Sequence, residues 1–394
     1  MKVPDDVPTL TDGVVTLRAH RGGDVPEIYA QCVDPVSQQW TTVPVPYTLE
    51  DARRFVTDVV AGGWHADSEW AFAVEADDEG TPRFAGTVSL RNEGDSRAEV
   101  GYGSHPWARG RGIMLRALTL LLDWGFAEQS LRTVIWLADE GNWASRKLAW
   151  RLGFSFDGTL RRWLPQRGEL LDAWVGTLLS TDPREPRSPW FDVPRIVGDK
   201  VMLRAHEPAD LLRIQQAGCD DVAGYWLSGL PRPYTLETAE AYTASCVEAH
   251  ARATGLSWAV ADPETDQLVA NISLFDIKSG DNAEIGYWTH PEARGQGVMT
   301  EACALVVRHA FVPVEDGGAG LRRLRVLTAE GNTASRRVIE ANGFTETGRH
   351  REGIKLGDGT WVDTITYDLL ADEYTDLADA SHATPVLSHL RHRP

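Results

Sequence analysis

The sequence repeats itself at long range, and this repeat constrains the fold more than any other feature. The segment AEVGYGSHPWARGRGIM at Ala98–Met114 recurs as AEIGYWTHPEARGQGVM at Ala283–Met299. Each copy is followed by a second matched block, EGNWASRKLAWRLGF at Glu140–Phe154 and EGNTASRRVIEANGF at Glu330–Phe344. A long internal period has to be settled before local patterns, because it fixes the number of structural units. The chain of 394 residues is therefore predicted to contain two related domains.

The repeat and a change in composition set the predicted domain limits. We predict a first domain at residues 6–179, a linker at residues 180–190, a second domain at residues 191–374 and a mobile tail at residues 375–394. The linker contains STDPREPRSP, which is rich in proline and charge and poor in apolar residues. Such a composition is typical of a connection between domains. Each domain has about 180 residues, enough for one packed core.

Composition argues against several classes of function. The net charge of −18 disfavours a nucleic-acid partner, whose phosphates the chain would repel. No apolar run approaches the ~20 residues of a membrane span, and the N-terminus lacks the pattern of an export signal. The four cysteines, Cys32, Cys219, Cys246 and Cys303, do not have metal-ligand spacing. We therefore expect a cytoplasmic protein without a metal, a membrane association or a nucleic-acid partner.

Local patterns predict the same order of elements in both halves. In the first half, strands are predicted at Val14–Arg18, Ala71–Glu75, Gly86–Leu90, Ala98–Gly103 and Thr133–Ala138. Helices are predicted near Asp24–Val33, after Thr48, and at Gly112–Phe126 and Asn142–Leu152. This pattern predicts an α/β fold, with a mixed α+β sheet and helices on both faces in each half.

A glycine-rich turn lies between a predicted strand and a predicted helix in each half. The turn RGRGI at Arg109–Ile113 recurs as RGQGV at Arg294–Val298. Glycine lets backbone N–H groups converge on a ligand, and the positive end of the following helix attracts anions. The two turns are therefore candidate phosphate sites. The alternative is that each turn only begins its helix.

Both halves resemble the GNAT superfamily of N-acetyltransferases, whose signature is Q/R-x-x-G-x-G/A. The signature positions read R-G-R-G-I-M up to Met114 and R-G-Q-G-V-M up to Met299. The flanking AEVGY, HP and GNWASRKLAWRLGF, together with the late acids Asp172 and Asp363, resemble the RimJ/RimL-like subgroup of ribosomal-protein N-terminal acetyltransferases. The resemblance covers nearly the whole chain, twice, and implies two tandem acyl-coenzyme A-binding domains.

The resemblance also implies a cofactor, acetyl-coenzyme A, that binds where two central parallel strands separate. Its pantetheine arm is expected along the strand edge and its pyrophosphate on the loop amides. In the first half the implied cofactor-binding residues are Tyr102, Gly103, Ser104, Arg109, Gly110, Arg111, Gly112, Ile113, Met114 and Asn142. In the second half they are Tyr287, Trp288, Thr289, Arg294, Gly295, Gln296, Gly297, Val298, Met299 and Asn332.

A carboxylate on the strand that enters each loop is the candidate general base. Strand alternation places Glu99 on one face with Gly101 and Gly103, and Glu284 is its counterpart in the second half. A partly buried carboxylate has a raised pKa and can take a proton from an amine. Family members often use a carboxylate at this position. The alternative is a carboxylate paired with a nearby arginine or exposed to solvent.

The candidate for protonating the departing sulfur is a serine. Many relatives use a tyrosine just before the G-F pair, but Ala149 and Ile339 stand there in this chain. The RimL-like subgroup instead offers the serine of N-x-A-S, here Ser145 and Ser335; a purely structural role at the start of the helix is the alternative. The preceding Asn142 and Asn332 are expected to cap that helix, to contact pantetheine, or both.

The sequence predicts an N-acetyltransferase that moves an acetyl group from acetyl-coenzyme A to a primary amine by direct attack in a ternary complex. The acceptor is a small-molecule or peptide amine, and Trp40, Trp64 and Trp226 are candidates for an aromatic acceptor pocket. A tandem acetyltransferase similar to mycothiol synthase is one alternative. A non-catalytic coenzyme A-binding sensor or scaffold is another. The fused halves imitate a homodimer, and the chain is expected to be a monomer or to form a further homodimer.

Overall fold

The computed structural model describes residues 7–278 and 281–374 of the chain. The chain forms two compact units that divide between Arg187 and Ser188. Each unit contains one eight-stranded mixed sheet, which confirms the predicted α/β fold and its tandem arrangement. The limits 6–179, 180–190 and 191–374 stay predictions, and the predicted tail at 375–394 lies outside the described residues.

The sheet of the first unit has the strand order β1-β2-β3-β4-β5-β6-β8-β7. Its strands are β1 (Leu10–Thr11), β2 (Val15–Arg18), β3 (Glu69–Asp78), β4 (Thr81–Gly94), β5 (Arg97–Ser104), β6 (Thr133–Asp139), β7 (Gly158–Gln166) and β8 (Glu169–Leu179). The central strands β5 and β6 run parallel, and the other neighbouring strands in this order are antiparallel.

The helices of the first unit begin and end close to their predicted limits, with one addition. They are α1 (Val25–Val33), α2 (Pro35–Trp40), α3 (Leu49–Arg54), α4 (Ala61–His65), α5 (Ile113–Ala127) and α6 (Trp143–Arg151). A π-helical turn at Phe55–Val60 joins α3 to α4. The added helix is α2, which the hydrophobic pattern did not reveal because it is only six residues long. Asp34 caps it by accepting a hydrogen bond from Ser37 N at 2.9 Å.

Local capping chemistry fixes the start of α3. Thr48 accepts a hydrogen bond from the backbone N–H of Asp51 at 3.2 Å, and the Asp51 carboxylate accepts one from the backbone N–H of Thr48 at 2.9 Å. This reciprocal pair is a capping box, and it satisfies two backbone donors that would otherwise be unpaired at the start of the helix. The capping box therefore fixes the residue at which α3 begins.

The two faces of the first sheet carry separate apolar cores. Phe72 packs in the cluster that contains α5, whereas the adjacent Ala73 packs with α1 and α3. Alternate strand residues point to opposite faces, so α5 and α1 lie on opposite sides of the sheet. Leu118, Leu121 and Leu122 of α5 are fully buried. Each such side chain contributes about 1.5–3 kcal/mol of transfer free energy, which anchors the start of α5 beside β5.

The second unit repeats this architecture with the strand order β9-β10-β11-β12-β13-β14-β16-β15. Its strands are β9 (Ile196–Val197), β10 (Met202–Arg204), β11 (Leu256–Ala261), β12 (Leu268–Phe275), β13 (Asn282–Thr289), β14 (Arg323–Ala329), β15 (Thr345–Lys355) and β16 (Trp361–Leu370). Its helices are α7 (Leu211–Cys219), α8 (Asp221–Trp226), α9 (Leu236–Ala251), α10 (Val298–Phe311) and α11 (Thr333–Ala341). In the described part of the chain, none of the helices has both the length and the apolar character needed to cross a bilayer.

Candidate active site

The two parallel strands at the centre of the first sheet separate partway along their length. Their pairing extends from Arg97 opposite Thr133 to Val100 opposite Trp136, yet β5 continues to Ser104. Beyond Val100, the β5 edge that faces β6 is left without a strand partner among the described residues. Free backbone donors and acceptors at such an edge are able to bond an extended ligand. The sequence analysis predicts the pantetheine arm along this edge.

A cleft of about 630 Å³ opens at this separation. It brings together most of the residues predicted for the first half, which come from three different segments of the chain. Those lining it are Glu99, Tyr102, Gly103, Ser104, Arg109, Gly110, Gly112, Met114, Asn142 and Ser145. The predicted Arg111 and Ile113 are not among the lining residues: Ile113 is buried in the core, and the half-exposed Arg111 is paired with Asp78.

The glycine-rich loop leaves open space above its backbone. Gly110 and Gly112 have φ of +72° and +75°, a region that favours glycine. A Cβ atom at either position would meet no other atom within 4 Å. Gly112 is the N-cap of α5 and supplies no capping side chain, so the first N–H groups of the helix stay available. Available N–H groups at the positive end of a helix fit a phosphate.

The arginines of the loop make ion pairs within the protein. Arg109 bonds the Asp34 carboxylate at 2.5 Å and Ser37 Oγ at 2.9 Å, which ties the loop to the start of α2. Arg111 bonds Asp78 at 2.9 Å and lies over the Trp107 ring. These contacts of Arg109 and Arg111 tie the loop to α2 and to the end of β3.

Met114 occupies the last signature position without blocking the loop. Its side chain is mostly buried in the core cluster and reaches Gly86, where a Cβ atom would lie 3.2 Å from its terminal methyl carbon. Gly86 has φ of +152° and faces the carbonyl of Gly103. The bulky methionine is thus accommodated by a glycine on the neighbouring strand β4.

Glu99 lines the cleft, and strand alternation places it on the α1 side of the sheet. It stands opposite Arg91 on β4, and the two side chains form an ion pair of 3.2 Å. Burial raises the pKa of Glu99 above its usual range, and the positive charge of Arg91 opposes that shift. The Glu99 side chain remains 25% exposed. A carboxylate with a raised pKa that still reaches solvent is chemically suited to accept a proton.

Ser145 lies on the other face of β5, within a cluster of polar atoms. Its hydroxyl oxygen is 2.7 Å from Tyr102 Oη, and it accepts a hydrogen bond from the indole nitrogen of Trp136 at 3.0 Å. Burial raises the pKa of Tyr102 to about 12, so this phenol stays protonated. When Tyr102 and Trp136 both donate hydrogen bonds to the Ser145 oxygen, the hydroxyl proton of Ser145 is available for a hydrogen bond to another acceptor.

Asn142 caps α6, one of its two predicted roles. Its side-chain oxygen accepts a hydrogen bond from the backbone N–H of Ser145 at 3.1 Å. Because Asn142 also lines the cleft, its amide nitrogen remains near any ligand there. The cap fixes the first turn of α6 and hence the position of Ser145.

The second unit shows a parallel set of contacts. Its parallel strands pair only from Asn282 to Glu284, and β13 continues to Thr289. Gly295 and Gly297 have φ of +74° and +79°. Burial raises the pKa of Glu284, which lies 3.7 Å from Arg325.

The loop and serine of the second unit also have equivalents of the first-unit contacts. Arg294 bonds Asp220 at 2.5 Å, and Gln296 donates to the backbone carbonyl of Glu292 at 2.7 Å. Ser335 Oγ lies 3.0 Å from Tyr287 Oη, and Asn332 caps α11. Val298 and Met299 are buried at the start of α10, as Ile113 and Met114 are at the start of α5.

Several residues that line the cleft were missed by the sequence analysis. Asp139, at the end of β6, lies in the cleft with its pKa raised by burial. Gln166 lines the cleft and donates to Asp139 at 3.3 Å and to the carbonyl of Gln39 at 3.1 Å. Gln31 of α1 was also missed; it lies beside the strand and not in the cleft, mostly buried against Gly103, which has no side chain to displace it. Asp139 could have been found from the sequence, because it is an acidic residue at the end of a predicted strand, directly before the repeated EGN block.

The three tryptophans proposed for an acceptor pocket have different positions. Trp40 lines the cleft, whereas Trp64 packs against Phe72 and Trp124 in the core. Trp226 lies beside Gly331 in the second unit. A Cβ atom at Gly141 would lie 3.7 Å from the Trp40 ring, and one at the matching Gly331 would lie 3.9 Å from the Trp226 ring. Trp40 and Trp226 therefore have equivalent positions in the two units, whereas Trp64 belongs to the core.

A smaller cavity of about 200 Å³ adjoins the same strand. Phe55, Val59 and Val60 of the π-helical turn cover it, and Ser89 donates to Glu69 at 2.7 Å on its sheet side. The cavity and the cleft share the stretch from Gly101 to Gly103. π-Helical turns are frequent at functional sites. Among the described residues there is no group of three or more His, Cys, Asp or Glu that could hold a metal ion.

Comparison with known proteins identifies the family. The model of the acetyltransferase (GNAT) domain matches residues 15–155 and again residues 200–345. The "Putative ribosomal N-acetyltransferase YdaF" of Bacillus subtilis is 30% identical over 182 residues, which are 45% of this chain and 95% of that protein. The "Probable N-acetyltransferase YjcK" of the same organism is 37% identical over 100 residues, 25% of this chain and 52% of that protein.

A solved structure is similar to part of the chain. The RimL ribosomal L7/L12 alpha-N-protein acetyltransferase, in complex with coenzyme A, is 19% identical and covers 44% of this chain and 97% of its own, with a TM-score of 0.39. The family model matches well over half of the present chain, once in each unit. This chain is a tandem member of the GNAT family of N-acetyltransferases.

Proposed function

We propose that this protein transfers an acetyl group from acetyl-coenzyme A to a primary amine by direct attack within a ternary complex. The observation that carries this proposal is the cleft at the separation of β5 and β6, which has Glu99 on one face of β5 and Ser145 on the other. Groups on opposite sides of one strand suit a reaction in which the amine arrives from one side and the thiolate departs on the other.

The loop at Arg109–Ile113 supplies the donors for the diphosphate of the cofactor. The open backbone at Gly110 and Gly112 and the uncapped end of α5 support this assignment. The edge of β5 from Tyr102 to Ser104 bonds the pantetheine arm. Acetyl-coenzyme A brings an activated thioester to this position. In the second unit the matching roles fall to the loop at Arg294–Val298 and to Tyr287, Trp288 and Thr289.

Glu99 acts as the general base, directly or through one water molecule. The amine nitrogen forms a bond to the acyl carbon, the carbon–sulfur bond breaks, and the proton of the amine passes to Glu99. The raised pKa of Glu99 brings it closer to that of the amine and supports this role. The positive charge of Arg91, 3.2 Å away, favours the ionised form of Glu99 that accepts the proton.

Ser145 donates its proton or a hydrogen bond to the departing sulfur. The indole of Trp136 and the phenol of Tyr102 both lie within bonding distance of the serine oxygen and orient its hydroxyl. An alkanethiol is a tolerable leaving group, so a single hydrogen bond is a sufficient contribution. Ser335 is the counterpart of Ser145 in the second unit, and Asn332 the counterpart of Asn142.

The acceptor is the amine of a peptide or of a small molecule. The carboxylates of Glu69, Glu99 and Asp139 around β5 support a cationic acceptor, since an ammonium group is attracted to them before it loses its proton. The name of YdaF and the description of the RimL structure both refer to ribosomal proteins. We therefore place peptide N-termini first among the acceptors to be tested.

The test uses the full chain with acetyl-coenzyme A and a panel of peptides and small amines. Release of free thiol and a gain of one acetyl group in the product, by mass spectrometry, are expected with at least one acceptor. Calorimetric binding of coenzyme A without turnover on any amine would favour a sensor or scaffold instead. A protein that neither binds coenzyme A nor releases thiol would contradict the proposal entirely.

A further inference from the structure

The strand pairs that carry the two candidate bases differ at the positions around them. On the first sheet, Arg91 stands opposite Glu99, and Thr87 stands opposite Gly103. On the second sheet, Phe275 stands opposite Glu284. At the position of Gly103, β13 has Trp288, which stands opposite Asn271. Small or polar positions of the first unit are thus replaced by aromatic ones in the second.

In the first unit the sheet face beside Glu99 is open. The cavity of about 200 Å³ lies there, between the π-helical turn and the strands, and Gly101 and Gly103 contribute no side chains to it. Gln31 occupies the space directly over Gly103, where a Cβ atom would lie 2.7 Å from its amide nitrogen. The room for an acceptor is the cavity beside Gly101 and Arg91, and Arg91 stands opposite the candidate base Glu99.

In the second unit the same face is filled by side chains. The Phe275 ring lies over Gly286, where a Cβ atom would be 2.7 Å from a ring carbon. Trp288 packs in a cluster with Ile214 and Tyr242. The position of Gln31 is taken by the small Ala217, which is buried. The pair Gly103 and Gln31 of the first unit corresponds to Trp288 and Ala217 in the second. The large side chain therefore comes from the helix in the first unit and from the strand in the second.

Polar side chains on this face of the second sheet also form hydrogen bonds with one another. Tyr242 occupies the position of Phe55, and its helix α9 is a regular α-helix without the π-helical turn. Ser257 Oγ lies 2.7 Å from Ser273 Oγ, and the Asn271 amide lies 2.8 Å from His206 Nε2. Polar groups on this face of the second sheet bond one another, which leaves them less available to a ligand.

The opposite face has also changed. The position of Trp136, which bonds the candidate acid in the first unit, is Val326 in the second. Asp139, which strand alternation places on the same face as Glu99, is replaced by Ala329 in the second unit. In contrast, the loop glycines Gly295 and Gly297 keep their left-handed conformation. A Cβ atom at Gly297 would lie 3.2 Å from the Lys200 ammonium, so a cation stands beside this loop.

We propose that acyl transfer takes place in the first unit alone, and that the second unit binds the diphosphate of coenzyme A without accepting an amine. This inference rests on the proposed function. It assigns one acceptor site and two coenzyme A sites to each chain.

A reciprocal exchange tests the inference in the full chain, with an acceptor found by the panel above. Arg91→Phe places the second-unit residue beside Glu99 and is expected to lower the transfer rate about a hundredfold, because the amine is displaced from its position. The matched variant Phe275→Arg places the first-unit residue in the second unit and is expected to leave the rate within about twofold of the unmodified protein, since Trp288 still fills the face.

Arg91→Phe also removes the ion pair with Glu99, which could lower the rate by itself. A second variant therefore fills the face and keeps Arg91. The double exchange Gln31→Ala with Gly103→Trp copies Ala217 and Trp288 into the first unit, and it too is expected to abolish transfer. Circular dichroism checks that each variant is folded, and calorimetry is expected to show two coenzyme A sites per chain in the unmodified protein and in Arg91→Phe. A rate that falls in Phe275→Arg, or that persists in both first-unit variants, would overturn the inference while leaving the proposed acetyl transfer intact. A single coenzyme A site in the unmodified protein would overturn its second half.

Discussion

The hydroxyl oxygens of Tyr102 and Ser145 lie 2.7 Å apart, although the two residues are separated by 43 positions in the chain. Tyr102 comes from the strand that enters the phosphate loop, and Ser145 from the first turn of α6. Their contact spans the gap between β5 and β6 on one face of the sheet. It makes the orientation of a serine hydroxyl depend on the position of the separated strand.

Removal of the serine hydroxyl tests its role in the departure of the thiolate. We expect Ser145→Ala to lower kcat about tenfold, which corresponds to about 1.4 kcal/mol in the barrier. Trp136 retains a bond to Tyr102 Oη at 3.1 Å, so the fold should lose little stability. Steady-state thiol release measures kcat and KM together. An unchanged kcat with normal binding would indicate that Ser145 serves only the helix.

The raised pKa of Glu99 predicts how the rate depends on pH. A base is active when it is ionised, so the rate should increase as the pH rises through the pKa of Glu99 and then level off. Glu99→Gln should lower the rate at all pH values and remove this increase. A pH profile of kcat/KM measures both effects. The general base would have to be sought elsewhere if the variant kept the same profile and rate.

Arg91 should set the position of that pH profile. Its positive charge lowers the pKa of Glu99 against the opposing effect of burial. Arg91→Gln removes the charge and keeps a polar side chain, so the pKa should rise and the acid limb should move to higher pH. The pH profile of each protein is recorded at low and at high salt, because salt screens the attraction between Arg91 and Glu99 and should reduce the difference between the two proteins. An acid limb that does not move would show that the ion pair has no influence on the base.

The phosphate loop can be tested by charge without a change of shape. Gly112 has a left-handed backbone and free space above it, so both Asp and Asn can be accommodated there. Gly112→Asp should remove coenzyme A from the first unit, whereas the isosteric Gly112→Asn should bind at least about tenfold more tightly than the aspartate variant. Calorimetric stoichiometry is the measurement. Equal affinity in the two variants would argue against an anion at this loop.

Much of the fold could be predicted from neighbouring residues. The helix that begins after Gly112 and the capping box of Thr48 and Asp51 depend on residues only a few positions apart. The short helix α2 was missed because six residues give too little hydrophobic periodicity, although Asp34 and Pro35 were visible as starting signals. The Glu99 position followed from strand alternation alone.

The sequence by itself determined that the chain contains two copies of one α/β unit, each with a strand, a glycine turn and a helix suited to a phosphate. These features are local, so a repeated pattern is enough to specify them. The tertiary structure decided what surrounds them. Arg109 pairs with Asp34, 75 positions away. Phe275 and Trp288 occupy one face of the second sheet, whereas the same face of the first sheet has a cavity beside Gly101 and Arg91. Such contacts join distant segments, and they exist only after the sheet has assembled and the space between its side chains has been filled.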